Sequence, residues 1–181
     1  MITLTTTRLI IRDYQESDLS AMHGLWSDKE TMYYLDDIAT NTIEETAQNL
    51  TMAIQNADGH YFCICEKATG HYMGGIGYTI TETTPLGKIV HMGYSLLPQY
   101  HGRGYMTEAA KKVIQFAFTQ DDCIRITTGC IKAHVASSRV MEKAGFRKEG
   151  ERLKAQYHYG EMKDRVEYAI NKEEFTCPNL A

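Results

Sequence analysis

Leu96-Leu97-Pro98-Gln99-Tyr100-His101-Gly102-Arg103-Gly104-Tyr105-Met106-Thr107-Glu108 is the stretch that decides the fold. Val90, Met92, Tyr94 and Leu96 alternate, which predicts a strand from Ile89 to Leu97 running into it. Met106, Ala109, Ala110, Val113 and Ala117 fall at helical spacing and predict a helix leaving it, to about Thr119. Between the two, Gly102 and Gly104 let the backbone turn tightly and approach a ligand without a Cβ in the way. Successive N–H groups in such a turn, at a helix N-terminus, form an anion site. The natural guest is the diphosphate of an elongated cofactor. A dinucleotide-binding fingerprint fits less well, because its third glycine position holds Thr107.

Outward from this turn the chain reads as one domain over residues 1–181, without repeats or Pro/Gly-rich linkers. Arg8–Arg12 reads as a first strand. Ser17 reads as the cap of a helix through Trp26, and a second helix fits Thr42–Asn56 with Ile43, Ala47, Leu50 and Ile54 on one face. Strands follow at Tyr61–Glu66 and Tyr72–Thr81. Gly74, Gly75 and Gly77 of the latter weaken a strand and mark close backbone approach. Beyond the central helix come a strand at Ile124–Ile131 and a short helix at Ser137–Ala144 closed by Gly145. The last strands fall at Phe146–Leu153 and Arg165–Ile170, and the tail from about Asn171 is expected to be loosely held. The order β, α, α, three strands, α, β, α, two strands predicts a mixed sheet with helices packed on it, an α/β or α+β architecture.

Composition narrows the class. Hydrophobic residues make up 43% of the chain and charged residues 23%, as in ordinary globular domains. A net charge of −4 argues against a general nucleic-acid partner. No apolar run reaches membrane-spanning length, and no secretion signal opens the chain. The five cysteines are odd in number and scattered, which suggests free thiols in a reducing cytoplasm. Cys63 and Cys65 share a strand face without a second Cys or His pair, so no metal site is expected.

Gln99-x-x-Gly102-x-Gly104 resembles the Q/R-x-x-G-x-G/A signature of the GNAT acetyltransferase superfamily. Ala136-Ser137-Ser138-Arg139-Val140-Met141-Glu142-Lys143-Ala144-Gly145-Phe146 resembles a segment of its RimJ/RimL-like subgroup, as do Thr7–Arg12 and the ending with Gly160, Asp164 and Tyr168. The resemblance covers nearly the whole chain, with its motifs in order. It implies a mixed, mostly antiparallel, splayed seven-stranded sheet flanked by about four helices. It implies acetyl-CoA as cofactor and direct transfer of the acetyl group to a primary amine in a ternary complex, without a covalent enzyme intermediate. The acceptor is either a protein N-terminus or a small amine. The rival class is a non-catalytic acyl-CoA-binding or sensing module, which would bind cofactor and turn over no amine. Exposed strand edges leave room for a homodimer.

The resemblance carries roles to particular residues. Backbone groups from Tyr100, His101, Gly102, Arg103, Gly104, Tyr105 and Met106 are expected at the diphosphate, with Gln99 opening the signature. The backbone of Leu96 and Leu97 is expected to pair with the pantetheine arm, in the gap before strand Ile124–Ile131. Arg103 and Lys143, with Arg139, offer charge near the phosphates, or are solvated cations. Ser137 is the expected donor to the departing thiolate, and also suits a helix N-cap. His134 stands where the family usually has Asn; it either touches the cofactor, lines the substrate tunnel or sits in a loop. The general base is not evident, since Gln156 stands near the position of a glutamate in some relatives. His91 and Glu30 are the candidates. Trp26, Tyr33 and Tyr34 are expected at the acceptor wall, or in the core, and Asp36 and Asp37 attract a cationic amine or lie in a solvated loop.

Overall fold

The computed structural model describes residues 1–35, 38–56 and 58–175. Its sheet has the order β1-β2-β3-β4-β5-β6-β8-β7. In chain order the strands are β1 (Thr3–Thr5), β2 (Leu9–Asp13), β3 (Gly59–Glu66), β4 (Tyr72–Thr84), β5 (Gly87–Leu96), β6 (Cys123–Ile131), β7 (Arg147–His158) and β8 (Glu161–Asn171). Every neighbouring pair is antiparallel except β5 and β6, which run parallel. Eight strands replace the seven expected. The extra one is β1, whose three residues are too few to show a period of two; it folds back on β2 through the turn in which Thr6 N–H donates to Leu9 O at 3.0 Å.

Among the described residues, four α-helices cover the sheet: α1 (Leu19–Trp26), α2 (Ile43–Gln55), α3 (Tyr105–Gln120) and α4 (Val135–Ala144). On one face, Met106, Ala109, Ala110 and Val113 of α3 and Met141 and Ala144 of α4 pack against Ile64, Ile76, Val90 and Ile126. On the other, Met22 of α1 and Leu50 and Ala53 of α2 pack against Tyr14, Cys63 and Cys65. Burial of these apolar surfaces supplies the main stabilisation.

Two local readings shift. Ser17 is exposed, and Asp18 organises the start of α1 instead. Its carboxylate accepts from Gln15 N–H at 2.8 Å and from both Nη atoms of Arg12 at 2.8 Å. Thr42 caps α2 in a capping box with Glu45. The buried face of α2, however, is Thr46, Leu50 and Ala53, while Ile43 and Ile54 stay exposed. Thr46 is polar but satisfied: its hydroxyl lies 2.7 Å from the Thr40 hydroxyl and 2.8 Å from His23 Nδ1.

The β4 glycines are there for close approach. A Cβ at Gly74 would strike the Ser95 carbonyl, and one at Gly75 the Tyr14 hydroxyl. The β7–β8 hairpin is much longer than its sequence suggests. Tyr159 and Gly160, at φ 44° and 88°, form its tip, and most of β7 is exposed, so no alternation announces it. Beyond β8, Phe175 packs its ring 5.4 Å from that of Phe118. Cys177 lies outside the described residues.

Candidate active site

The parallel seam between β5 and β6 is short. Pairing runs from Lys88 with Cys123 to His91 with Thr127 and stops. At the point of separation the Thr128 hydroxyl donates to Met92 O at 2.9 Å. Leu97 N–H donates to Met73 O of β4 at 2.8 Å, so alternation along β5 turns the backbone edges of Tyr94 and Leu96 the other way, toward β6. These edges border a gap inside the sheet.

Two cavities meet there. One, of about 350 Å³, runs beside the glycine turn and α4. The other, of about 400 Å³, opens toward α1 and the β7–β8 hairpin. Tyr94, Ser95, His134 and Ser137 border both.

The glycine turn has the conformation its sequence requires. Gly102 and Gly104 sit at φ +72° and +78°, where side-chain-bearing residues are strained. Among the described residues, each glycine's chain neighbours aside, no atom lies within 4 Å of a Cβ built at Gly102, and only Arg8 Nη2, at 3.6 Å, near one built at Gly104. The cradle is therefore open, and a Cβ would fill it. The first intrahelical bond of α3 runs from Glu108 N–H to Gly104 O at 3.0 Å. The amides of Tyr105, Met106 and Thr107 thus have no intrahelical acceptor, and the positive end of the helix dipole points at the cradle. These features fit a diphosphate.

The opening of the chain holds this cradle. Glu108 accepts from Thr6 Oγ1 at 2.6 Å, Arg8 N–H at 3.0 Å and Arg8 Nε at 2.7 Å, and pairs with Arg8 Nη2 at 2.6 Å. Arg8 Nη1 donates to Arg103 O at 3.0 Å, and the guanidinium lies 4.2 Å from the Tyr105 ring centroid. Burial alone would raise the Glu108 pKa, but the bonds from Thr6 and Arg8 outweigh it and hold the carboxyl below its usual range. Sequence reading gave Glu108 no role, because its partners lie about a hundred residues away.

Of the residues expected at the cofactor, Leu96, Tyr100, His101, Gly102, Gly104, Tyr105, Met106, His134, Ser137 and Lys143 border the first cavity. Leu97, Gln99 and Arg103 do not. Leu97 spends its N–H on Met73 and its carbonyl on Tyr100 N–H, at 3.0 Å. Gln99 and Arg103 are exposed, and Arg103 contributes its carbonyl to the Arg8 anchor. His101 does more than line the wall: its Nε2 lies 2.7 Å from Leu96 O, tying the turn to the strand edge. Thr107, Arg139 and Val140 join the wall from the two helices.

Where the cavities meet, Ser137 lies in the first turn of α4, buried, its Oγ 2.9 Å from the Tyr94 hydroxyl. His134 precedes that helix as its N-cap residue, and its ring stacks on Tyr34 with centroids 4.2 Å apart. Burial, followed by the nearby His101, pushes the His134 pKa down, so the imidazole is neutral at pH 7. Cys130 also borders the acceptor-side cavity, and burial pushes its pKa up, leaving a protonated thiol.

On the acceptor side, Trp26, Tyr34 and His91 border the cavity. Tyr33 does not; it stacks on Tyr159 at 5.3 Å and meets His158 edge-on at 4.7 Å, joining the α1–α2 connection to the hairpin tip. Loss of hydration, then Arg165, lowers the His91 pKa. Gln156 Oε1 accepts from Arg165 Nη1 at 2.5 Å. Glu30 is exposed and off the wall. Asp36 and Asp37 lie outside the described residues. Cys63 and Cys65 face each other at 3.5 Å, and among the described residues no three His, Cys, Asp or Glu side chains converge on a metal-sized site. Among them, too, no helix is long and apolar enough to cross a membrane.

Known proteins match this chain and its fold. An uncharacterised N-acetyltransferase of Bacillus subtilis (strain 168), YnaD, is 28% identical over 174 residues, covering 95% of this chain and 98% of its own. A solved acetyltransferase of the GNAT family from Bacillus anthracis superimposes with a TM-score of 0.83 at 28% identity, over 95% of this chain and 99% of that one. The ribosomal L7/L12 alpha-N-protein acetyltransferase RimL, solved with coenzyme A, superimposes with a TM-score of 0.83 at 22% identity, over 94% and 98%. Residues 8–147 match the acetyltransferase (GNAT) domain family, and the chain belongs to that family: it is an N-acetyltransferase whose acyl donor is acetyl-CoA.

Proposed function

We propose that the chain transfers acetyl from acetyl-CoA directly to a primary amine, with both substrates bound at once. The observation that carries this reading is the meeting of two cavities at Ser137, Tyr94 and His134. The glycine turn and the α3 amides take the diphosphate, and the edges of Tyr94 and Leu96 take the pantetheine amides. The amine enters from the side of Trp26 and Tyr34.

The bound thioester supplies an activated acetyl group and a thiolate leaving group. Ser137 Oγ, backed by the Tyr94 hydroxyl, donates a hydrogen bond where that negative charge grows. Neutral His134 takes the proton that the amine sheds, and passes it to solvent. The protonated thiol of Cys130 is a poor nucleophile, which supports direct attack by the amine over transfer through the enzyme. The test is thiol release from acetyl-CoA against a panel of small amines and N-terminal peptides. Ser137→Ala should lower kcat at least about tenfold, the scale of one lost transition-state donor, with coenzyme affinity kept. A variant as fast as the parent removes Ser137 from the reaction.

A further inference from the structure

Among its described lining residues, the acceptor cavity carries one formal charge, the guanidinium of Arg165, and no Asp or Glu. Arg165 stands on β8 opposite Ile131. Its Nη1 is fixed by Gln156 Oε1 at 2.5 Å and its Nε by Glu167 Oε1 at 3.2 Å. Glu167 also pairs with Arg152 at 3.7 Å, so the three charged groups together are left with one positive charge.

Gly129 makes room for this arrangement. A Cβ there would collide with Glu167 Oε2 and stand 2.9 Å from Arg165 Nη2. The guanidinium therefore lies across the bare backbone of a strand that lines the cavity, and the hydrogen bonds described at it use Nε and Nη1. Its side chain is only 22% exposed, so the charge is weakly screened.

A polyammonium acceptor would meet this charge with no described carboxylate to receive it. A carboxylate would complete the guanidinium with a charge-assisted bond. The remaining wall is apolar and aromatic, from Met22, Trp26, Tyr34 and Tyr61. The cavity holds about 400 Å³, the size of a small-molecule site.

We infer that the acceptor is a small amino carboxylate with an apolar or aromatic side chain, an α-amino acid in its simplest form, whose carboxylate Arg165 binds. The inference rests on the acetyl-transfer reading above and names the substrate class of that same site. Arg165 takes the carboxylate, Trp26 and Tyr34 pack the side chain, and the amine turns toward His134 and Ser137.

The test is calorimetry on the full chain saturated with CoA, with phenylalanine, leucine and methionine as probes. The carboxamide of each, the decarboxylated amines and spermidine serve as comparisons. Each free carboxylate should bind at least about tenfold tighter than its carboxamide, the scale of one charge-assisted bond. Arg165→Gln should erase that difference and Arg165→Lys keep part of it, with CoA affinity unchanged in both. Three results overturn the inference: carboxamides or spermidine binding as tightly as the carboxylates, a preference that survives Arg165→Gln, or no amino carboxylate binding to a protein that binds CoA. The last leaves the transferase reading intact. Amino carboxylates that bind but are never acetylated, while another amine is, overturn the inference as well; a protein that turns over no amine at all strikes the transferase reading instead.

Discussion

Replacing Glu108 with Ala should loosen the cofactor cradle from a distance. The carboxylate accepts from the Arg8 amide and the Thr6 hydroxyl and pairs with the Arg8 guanidinium. With the Glu108 side chain 14% exposed, the first two bonds contribute about 1–1.5 kcal/mol each. The Arg8 side chain is 40% exposed, so its ion pair is discounted for screening to about 0.5 kcal/mol. A carboxylate in the first turn of α3 adds about 0.5 kcal/mol through the helix dipole, and the better helix propensity of Ala returns about as much. The net loss is about 3 kcal/mol, or about 6–12 °C in Tm for a chain of this size. The freed Arg8 also leaves Arg103 O and the Tyr105 ring, so coenzyme affinity should fall along with stability. Glu108→Gln keeps an acceptor for the Arg8 amide and should lose about 1 kcal/mol. Thermal unfolding and a CoA titration on the same samples are the assay. A Tm within about 2 °C of the parent, with unchanged affinity, would refute the claim that this carboxylate holds the turn.

Gly104→Glu should abolish CoA binding while the fold survives, since only Arg8 Nη2 lies near the new Cβ and the carboxylate would occupy the diphosphate site; calorimetry with an intact unfolding transition checks it. His134→Asn should keep CoA affinity and lower kcat at least about tenfold, the scale of one lost general base. An unchanged kcat would remove His134 as the base, and a loss of CoA affinity would assign it to cofactor contact instead. Folding stability should fall as pH drops below 6.5. The unfolded chain protonates His91 and His134 at their ordinary pKa, whereas the folded chain resists until their lowered values are reached. Between those limits the unfolded state binds more protons, so stability rises with pH, and His91→Asn with His134→Asn should flatten that slope in Tm measured from pH 7 to 5. The Glu108 contribution behaves separately. It is present above the usual pKa of a glutamate and lost only as pH falls through its lowered value.

The parts of the fold legible in the sequence are those written in local spacing. The turn at Gly102 and Gly104 needs φ values that glycine tolerates, and the flanking periods of two and 3.6 name their elements without long-range information. Ser137 and His134 follow from a short motif in register with that turn. What escaped reading depends on residues distant in the chain. Arg8 and Glu108 meet only because β2 docks beside α3. Tyr34 and His134 stack only once the α1–α2 connection has reached the hairpin. Arg165 sat in an expected strand, yet a single arginine has no spacing to give it away; the signal that could have found it was Gly129 on the neighbouring strand, opposite Glu167 and beside the guanidinium. The rotation of α2 was misread because burial of Thr46 depends on hydrogen bonds with Thr40 and His23, which hydrophobic counting cannot register.

The early end of the β5–β6 seam gives this protein a sheet edge in its interior. An ordinary edge strand offers its unpaired N–H and C=O groups to any passing chain and invites aggregation. Here the edge of Tyr94 and Leu96 is recessed between two halves of one sheet and hedged by α3 and α4. A polypeptide strand entering it would bring side chains on alternate faces, toward a wall lined by Met92 and Ser137. Pantetheine carries amides spaced along a thin chain with almost no side groups, so it can answer the same hydrogen bonds where a peptide cannot. On the proposed function, the notch would act as a filter on backbone shape, keeping a reactive sheet edge for one slender partner and away from proteins.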